Sequence, residues 1–350
     1  MCSSDLYGFL ESVTPPIEEK GAKGRMSVVI DSVRVESILS GTAHNRLPED
    51  LFIVRILSTT SRLEDLFPNI RWTEGGWIEF QLQNRPGLPP AWYLSADSDY
   101  GGPITRTNII KASPIPLPPG KNIETIKKLT ELCHPDGPAR INKQELTPRK
   151  IFGTGPFVRV VDVGQASFSA IHTAPSIRSP ILGYFDVGAP LFFHNRTFPR
   201  RFKEQNRVPS FGFVVLSHWD FDHYSMAVSK IPALRMLTWF APDQPVGPNA
   251  AALQAKLGSN LTLLSVPKFS LNSSIHLWRG TGAPKDRNES GYILQITRAG
   301  GNVMLTGDVP YPFIPRGAGV NLSAMTMTHH GGPSMGTPPV PSGICSVAAV

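Results

Sequence analysis

The sequence predicts a mixed α/β chain of the α+β kind, in which a β-rich N-terminal module precedes a larger domain of strands and helices. Three observations carry this. Residues 26–112 hold short apolar runs of period two, the pattern of half-buried strands. From residue 157 onward the chain reads as successive strands that later alternate with helices, as expected of a layered domain. Between the two regions lies a proline-rich stretch, residues 114–120, which suits a connection rather than an element interior.

Taken in order, residues 1–6 match the translation of the end of a common sequencing adaptor, with GTG read as a start. They are expected to be an assembly scar and are set outside the fold. Residues 7–118 form the β-rich module, with runs at 28–35, 51–57 and 77–82 as its strands. Its role is open between a specificity or partner-binding module and, as the default, a packing extension. Residues 119–154 read as linker and helix, with Ile123, Ile126, Leu129 and Leu132 at helical spacing and Asn122 as a cap. Residues 155–350 form the second domain. Strands are expected near 157–165, 167–171, 180–188, 211–217, 237–240, 261–266 and 302–308, and helices over 222–230 and 248–257. The chain stops within an apolar run, residues 344–350, so C-terminal truncation is expected.

The chemistry concentrates where the apolar run 211–216 ends. Ser217 is followed by His218, Trp219, Asp220, Phe221, Asp222 and His223. Two imidazoles and two carboxylates in six positions bring like charges together and resist burial unless a cation joins them. Imidazole nitrogen and carboxylate oxygen are ligand types that zinc, manganese and iron accept. The bland alternative is a solvated helix start with Asp222 as its cap. Three more strand ends carry polar residues of the same types: Asp186 in an Asp-Val-Gly step, Asp308 in Leu-Thr-Gly-Asp, and the pair His329 and His330 before two glycines.

In this order the segments resemble the metallo-β-lactamase superfamily, and within it the ComEC-type competence hydrolases. The family pattern runs Asp-Val-Gly-Gln-Gly-Asp, Leu-Thr-His-x-His-x-Asp-His, Leu-Thr-Gly-Asp and His-His-Gly-Ser. This chain has Asp-Val-Gly-Gln-Ala-Ser from Asp162, Leu-Ser-His-Trp-Asp-Phe-Asp-His from Leu216, Leu-Thr-Gly-Asp from Leu305 and His-His-Gly-Gly from His329. Asn288, Glu289 and Ser290 resemble the family's Asn-x-Ser step. The resemblance spans about residues 155–350. Beyond the smaller substitutions within these motifs, Asp220 stands where the second His usually stands, no Pro-Gly-His motif lies between His223 and Asp308, and the late His is missing. His276, the sole histidine in that interval, sits in an alternating run and reads as a strand residue rather than a ligand.

The resemblance implies an αββα metallo-β-lactamase sandwich and two divalent metal ions. Zinc comes first, with manganese or iron admitted by the harder Asp220 carboxylate. It places His218 and Asp220 on the first ion, Asp222 and His223 on the second, and Asp308 between them. One of His329 and His330 completes the set; adjacent strand-end residues point to opposite sides, and analogy favours His330. Asp222 and Asp308 are thereby the catalytic carboxylates, and Asp186 orients a ligand or its loop. The implied function is hydrolysis by a metal-activated water, of phosphodiester or nucleic-acid substrates. Alternatives are another ester, a lactone or a β-lactam, or a binding domain that keeps metal without catalysis.

Composition sets outer bounds. The formal net charge of +7 among 350 residues suits a polyanionic substrate or merely a basic surface. Basic residues gather at 143–150, 196–203 and 285–287; in the middle cluster Arg200 and Arg201 stand among aromatics and are the candidate substrate contacts. A solvated loop is the alternative there. His44, His134, His172 and His194 are expected to be structural or surface residues, with His194 near enough to the basic loop to reach a cleft. The three cysteines, Cys2, Cys133 and Cys345, are scattered and indicate neither a disulfide framework nor a thiolate site. No apolar run approaches the roughly 20 residues of a membrane helix, so the chain reads as soluble as it stands; its compartment is open, with the cytoplasm favoured. Protein partners are left open.

Overall fold

The structure is a computed structural model that describes residues 4–14, 24–39, 50–95, 104–115, 139–141, 156–164, 166–190, 197–199, 202–204, 207–298, 300–331, 336–339 and 347–349. The chain divides into two compact units, Met1–Gly137 with Pro245–Lys256, and Pro138–Gln244 with Leu257–Val350. Among the described residues no helix is long and apolar enough to cross a membrane.

In the first unit six strands close into a barrel: β1 (Ser4–Thr14), β2 (Met26–Arg34), β3 (Leu51–Ser58), β4 (Trp77–Gln83), β5 (Pro90–Ser95) and β6 (Thr105–Pro114), in the order β1-β2-β3-β5-β6-β4. Helix α1 (Val35–Leu39) follows β2, and α2 (Thr60–Leu66) follows β3 with Thr59 accepting from the Arg62 amide. The predicted period-two runs are β2, β3 and β4, and their alternate residues Val28, Ile30, Val54, Ile56, Ile78 and Phe80 share one core. Closure pairs every edge that such strands would otherwise expose. Leu6, among the residues set outside the fold on sequence grounds, is 3% exposed in this core, and β1 pairs there with both β2 and β4. At Gly8 a Cβ would lie 2.3 Å from Ile30, so the barrel interior admits no side chain at that position.

The second unit holds two sheets. The first contains β7 (Ala139–Ile141), β8 (Phe157–Val160), β9 (Phe168–His172), β10 (Ile181–Val187), β11 (Phe213–Val215), β12 (Thr238–Pro242) and β13 (Leu261–Leu264), in the order β7-β13-β12-β11-β10-β9-β8. From β10 to β7 its pairings are parallel. The second contains β14 (Lys268–Ser270), β15 (Ile275–Arg279), β16 (Tyr292–Arg298), β17 (Gly301–Leu305), β18 (Leu322–Thr326) and β19 (Val347–Ala349), in sequence order. The sheets face each other: Phe185, Phe213, Val215 and Phe240 of the first share a core with Leu277, Tyr292, Leu294 and Leu305 of the second. Helix α3 (Phe221–Val228) packs on β10 outside the first sheet. Outside the second, Tyr311, Phe313 and Ile314 of a loop and short 3₁₀ turn cover Ile293, Met304 and Met325. This is the α+β sandwich of the sequence reading; among the described residues the second sheet is covered by a loop and turn rather than a helix.

Two segments differ from their expected places. Residues 119–154 were read as linker and helix, yet their part 139–141 is strand β7, paired in parallel with β13. The helix read at 122–133 lies outside the described residues. The helix read at 248–257 forms as α4 (Pro248–Leu257), but all of it up to Lys256 belongs to the barrel unit. There Ala252 packs with Val33, Ile38 and Leu51, and buried Asp31 accepts hydrogen bonds from the Asn249 amide at 2.9 and 3.0 Å.

Candidate metal centre

The polar residues sit where strands of both sheets end: Asp186 in β10, His218 after β11, Asp308 after β17, and His329 and His330 after β18. Carboxyl ends of parallel strands are where open α/β sheets place ligands, because loops there can diverge without breaking the ladder. Backbone geometry turns the side chains inward. Asp186, His329 and His330 have φ of 52°, 48° and 52°, left-handed values that cost non-glycine residues energy and gather at functional sites.

Asp186 and Ser217 fix the two imidazoles of the loop. The Ser217 amide donates to Asp186 Oδ1 at 2.7 Å, and its hydroxyl donates to Oδ2 at 2.9 Å. That spends the hydroxyl proton, so Ser217 Oγ accepts from His218 Nδ1, 2.9 Å away. His223 Nδ1 is 2.9 Å from Asp186 Oδ2 and donates to it. Both rings therefore hold Nδ1–H and aim Nε2 into the site, where each offers a metal its lone pair once that nitrogen carries no proton.

What those lone pairs face is the test of a metal. His218 Nε2, His223 Nε2, His330 Nε2 and Asp308 Oδ1 are all buried without a hydrogen-bond partner. His223 Nε2 and His330 Nε2 stand 3.3 and 3.8 Å from Asp308 Oδ1, and His218 Nε2 stands 3.9 Å from Asp308 Oδ2. Unpaired buried polar atoms cost on the order of 1–3 kcal/mol each, and a cation at their centre removes that cost. Two overlapping groups have ligand atoms within 4.8 Å of one another: His218, His223 and Asp308, and Asp222, His223 and His330. The residues thus fit a divalent metal site.

The charges respond to this crowding. Burial disfavours charge on His223, but Asp308, Asp186 and Asp222 outweigh it and raise its pKa well above the usual imidazole value. His330 is raised in the same way by Asp308 and Asp222 against its burial. Burial would raise the Asp222 carboxyl, yet His223 and His330 bring it down to about 2. Asp308 is likewise held well below its usual range, burial opposing and His223 and His330 prevailing.

The structure gathers His218, Asp220, Asp222, His223, Asp308, His329, His330 and Asp186 into one cluster. Arg200, Arg201, His44, His134 and His194 lie outside the described residues. His276 stays in β15 with its Nδ1 2.8 Å from Ser270 Oγ, as a strand residue. His172 is buried against Arg159 and Ser179. The expectation that His329 and His330 point to opposite sides is corrected. They lie in a left-handed turn rather than a strand, and both approach Asp308, His329 Nδ1 at 3.2 Å from Oδ2.

Two residues of the cluster were missed in the sequence. Ser217 read only as the end of a strand. Arg287 read as part of a loose basic cluster, yet it is 3% exposed, 2.8 Å from Asp220 Oδ1, and donates to the Trp219 carbonyl at 3.0 Å. Its place directly before the Asn288-Glu289-Ser290 step was the available signal.

A cavity of about 340 Å³ opens beside the cluster, lined by Asp162, Gly164, Ser167, Gly307, Asp308 and His330 among others.

No protein-family model matches the sequence, and no curated protein matches it significantly. Solved structures overlap it loosely. Tm1679, a metal-dependent hydrolase of the β-lactamase superfamily, aligns at TM-score 0.33 and 9% identity, over 55% of this chain and 95% of its own. Zinc-bound PqqB from Methylobacterium extorquens aligns at TM-score 0.28 and 12% identity, over 49% of this chain and 65% of its own. A variant of the β-hydroxylase CmlA aligns at TM-score 0.32 and 11% identity, over 86% of this chain and 56% of its own.

Proposed function

We propose that the chain is a metallo-β-lactamase-like, metal-dependent hydrolase of phosphodiesters, of the ComEC-related, nuclease-like kind. The observation that carries the metal-dependent part is the convergence of four buried ligand atoms from His218, His223, His330 and Asp308, none with a hydrogen-bond partner. The phosphodiester part is supported by the motif order and by the net charge of +7. Two divalent ions, zinc foremost, would supply an activated water and offset charge on the attacked and leaving oxygens. His218, Asp220 and Asp308 would hold one, and Asp222, His223, His330 and Asp308 the other. Asp308 is suited to serve both, because its two oxygens face different imidazoles. Asp186 holds the His223 ring, and Ser217 the His218 ring.

One observation favours a second reading, a small compact ester. Among the described residues that line the cavity none is a lysine or arginine, and Asp162 adds a carboxylate. Arg200 and Arg201 remain the proposed phosphate contacts of the first reading.

The deciding experiment is metal content by elemental analysis together with hydrolysis of bis-p-nitrophenyl phosphate and single-stranded DNA. About two ions per chain, with cleavage abolished in Asp222→Ala, support the proposal. Two ions without cleavage move the substrate to another ester, and no bound ion overturns the metallohydrolase reading.

A further inference from the structure

The two candidate ligand groups share a residue that cannot serve both. His223 belongs to each, but its Nδ1 is bound to Asp186, so a single lone pair on Nε2 remains. Once His223 joins Asp222 and His330, a second ion must use His218, the Oδ2 side of Asp308, Asp220 and the nearby His329 Nδ1. That second set is compromised at Asp220. Its Oδ2 faces His218 Nε2 at 3.4 Å, but its Oδ1 is 2.8 Å from Arg287. The guanidinium is buried and anchored a second time on the Trp219 carbonyl. An arginine keeps its charge at any working pH. One ligand of the second set is therefore neutralised, and a fixed positive charge sits one carboxylate away from the ion it would bind.

Resting on the metallohydrolase reading above, we propose that Arg287 makes the centre asymmetric: one ion binds tightly at Asp222, His223, His330 and Asp308, and a second binds weakly at His218 and Asp220. Arg287 is a positioning residue in this arrangement. It holds Asp220 with one oxygen toward the site and also discounts that oxygen's charge. The two positions then load in sequence, and the second ion exchanges while the first remains.

The test is calorimetric titration of zinc or manganese into the metal-free full chain, with elemental analysis after dialysis. Two steps separated by about tenfold or more in affinity are expected for the native protein, with one ion retained on dialysis. In Arg287→Met the Asp220 carboxylate loses its buried partner. The second step should tighten until the gap closes to within about threefold, and metal should raise the melting temperature more than it does in the native chain. Arg287→Lys keeps the charge and should keep the gap. Asp220→Asn, a second route should Arg287→Met fail to fold, should lose the second step and leave the first. Equal steps in the native protein, an unchanged or weaker second step in Arg287→Met, or loss of the first step in Asp220→Asn would overturn the asymmetry alone. Absence of any binding in the native protein would overturn the metal centre itself, and the asymmetry with it.

Discussion

At His223 a proton and a cation compete for one nitrogen. The ring is fully buried, its Nδ1 is tied to Asp186, and its Nε2 looks toward Asp308 and Asp222. With no cation present, the carboxylates raise its pKa well above the usual value and keep it protonated. Such a group contributes stability that is fully present below its unfolded pKa, about 6.5, and lost as pH rises through the folded one. The metal-free protein should therefore melt at progressively lower temperature as pH rises above neutrality. Saturating divalent metal should abolish that loss, because it replaces the departing proton. Asp222 works with the opposite sign: held down to about 2, it contributes stability present above its ordinary value and lost as pH falls through the depressed one. Melting curves of chelator-treated protein across neutral and alkaline pH decide the matter. A melting temperature that stays level or rises there would show that the carboxylates do not hold the proton.

The elements that carry the site are short, and the joints between them do the positioning. Gly188, just beyond β10, lies under the first turn of α3, where a Cβ would fall 1.5 Å from the Asp222 carbonyl oxygen. No rotamer relieves a clash with backbone, so Gly188→Ala must push α3 away from β10 and take Asp222 and His223 with it. A loss of about 1–3 kcal/mol in stability is expected from overpacking, with weaker metal binding. Gly300→Ala, where nothing lies within 4 Å of the added carbon, should change stability by less than about 0.5 kcal/mol. Native-like melting and metal titration in Gly188→Ala would remove this account of the joint. Gly188 was legible in the sequence as part of an Asp-Val-Gly step, and the strand ends bearing His218, Asp308 and the His329 pair were legible because apolar runs stop abruptly at polar residues. Left-handed backbone at Asp186, His329 and His330 was not legible, since local preference opposes it and only tertiary contacts impose it. Arg287 was hidden for a related reason. Its burial depends on meeting Asp220 from a distant loop, and an isolated arginine reads as surface.

For the whole chain, sequence order gave the strand succession well and the unit boundaries poorly. Alternation of strand and helix from residue 211 to 266 reads as one continuous domain, yet the 245–256 excursion between β12 and β13 joins the barrel. Nothing local marks it, because α4 has ordinary helical spacing. Its partners Asp31, Val33, Ile38 and Leu51 stand some two hundred positions earlier. A fragment cut at residue 155, the boundary suggested by the sequence, would keep α4 and lose those partners. It would also lose β7, the parallel neighbour of β13, leaving the β13 edge unpaired. In that fragment the buried Asn249 and Ala252 would have no barrel to pack against. Residues 245–256 should then be cut readily by a nonspecific protease, whereas the full chain resists at the same positions. Equal resistance in fragment and full chain would show that α4 and its flanks are held by the sandwich unit alone, and the boundary at 155 would be restored.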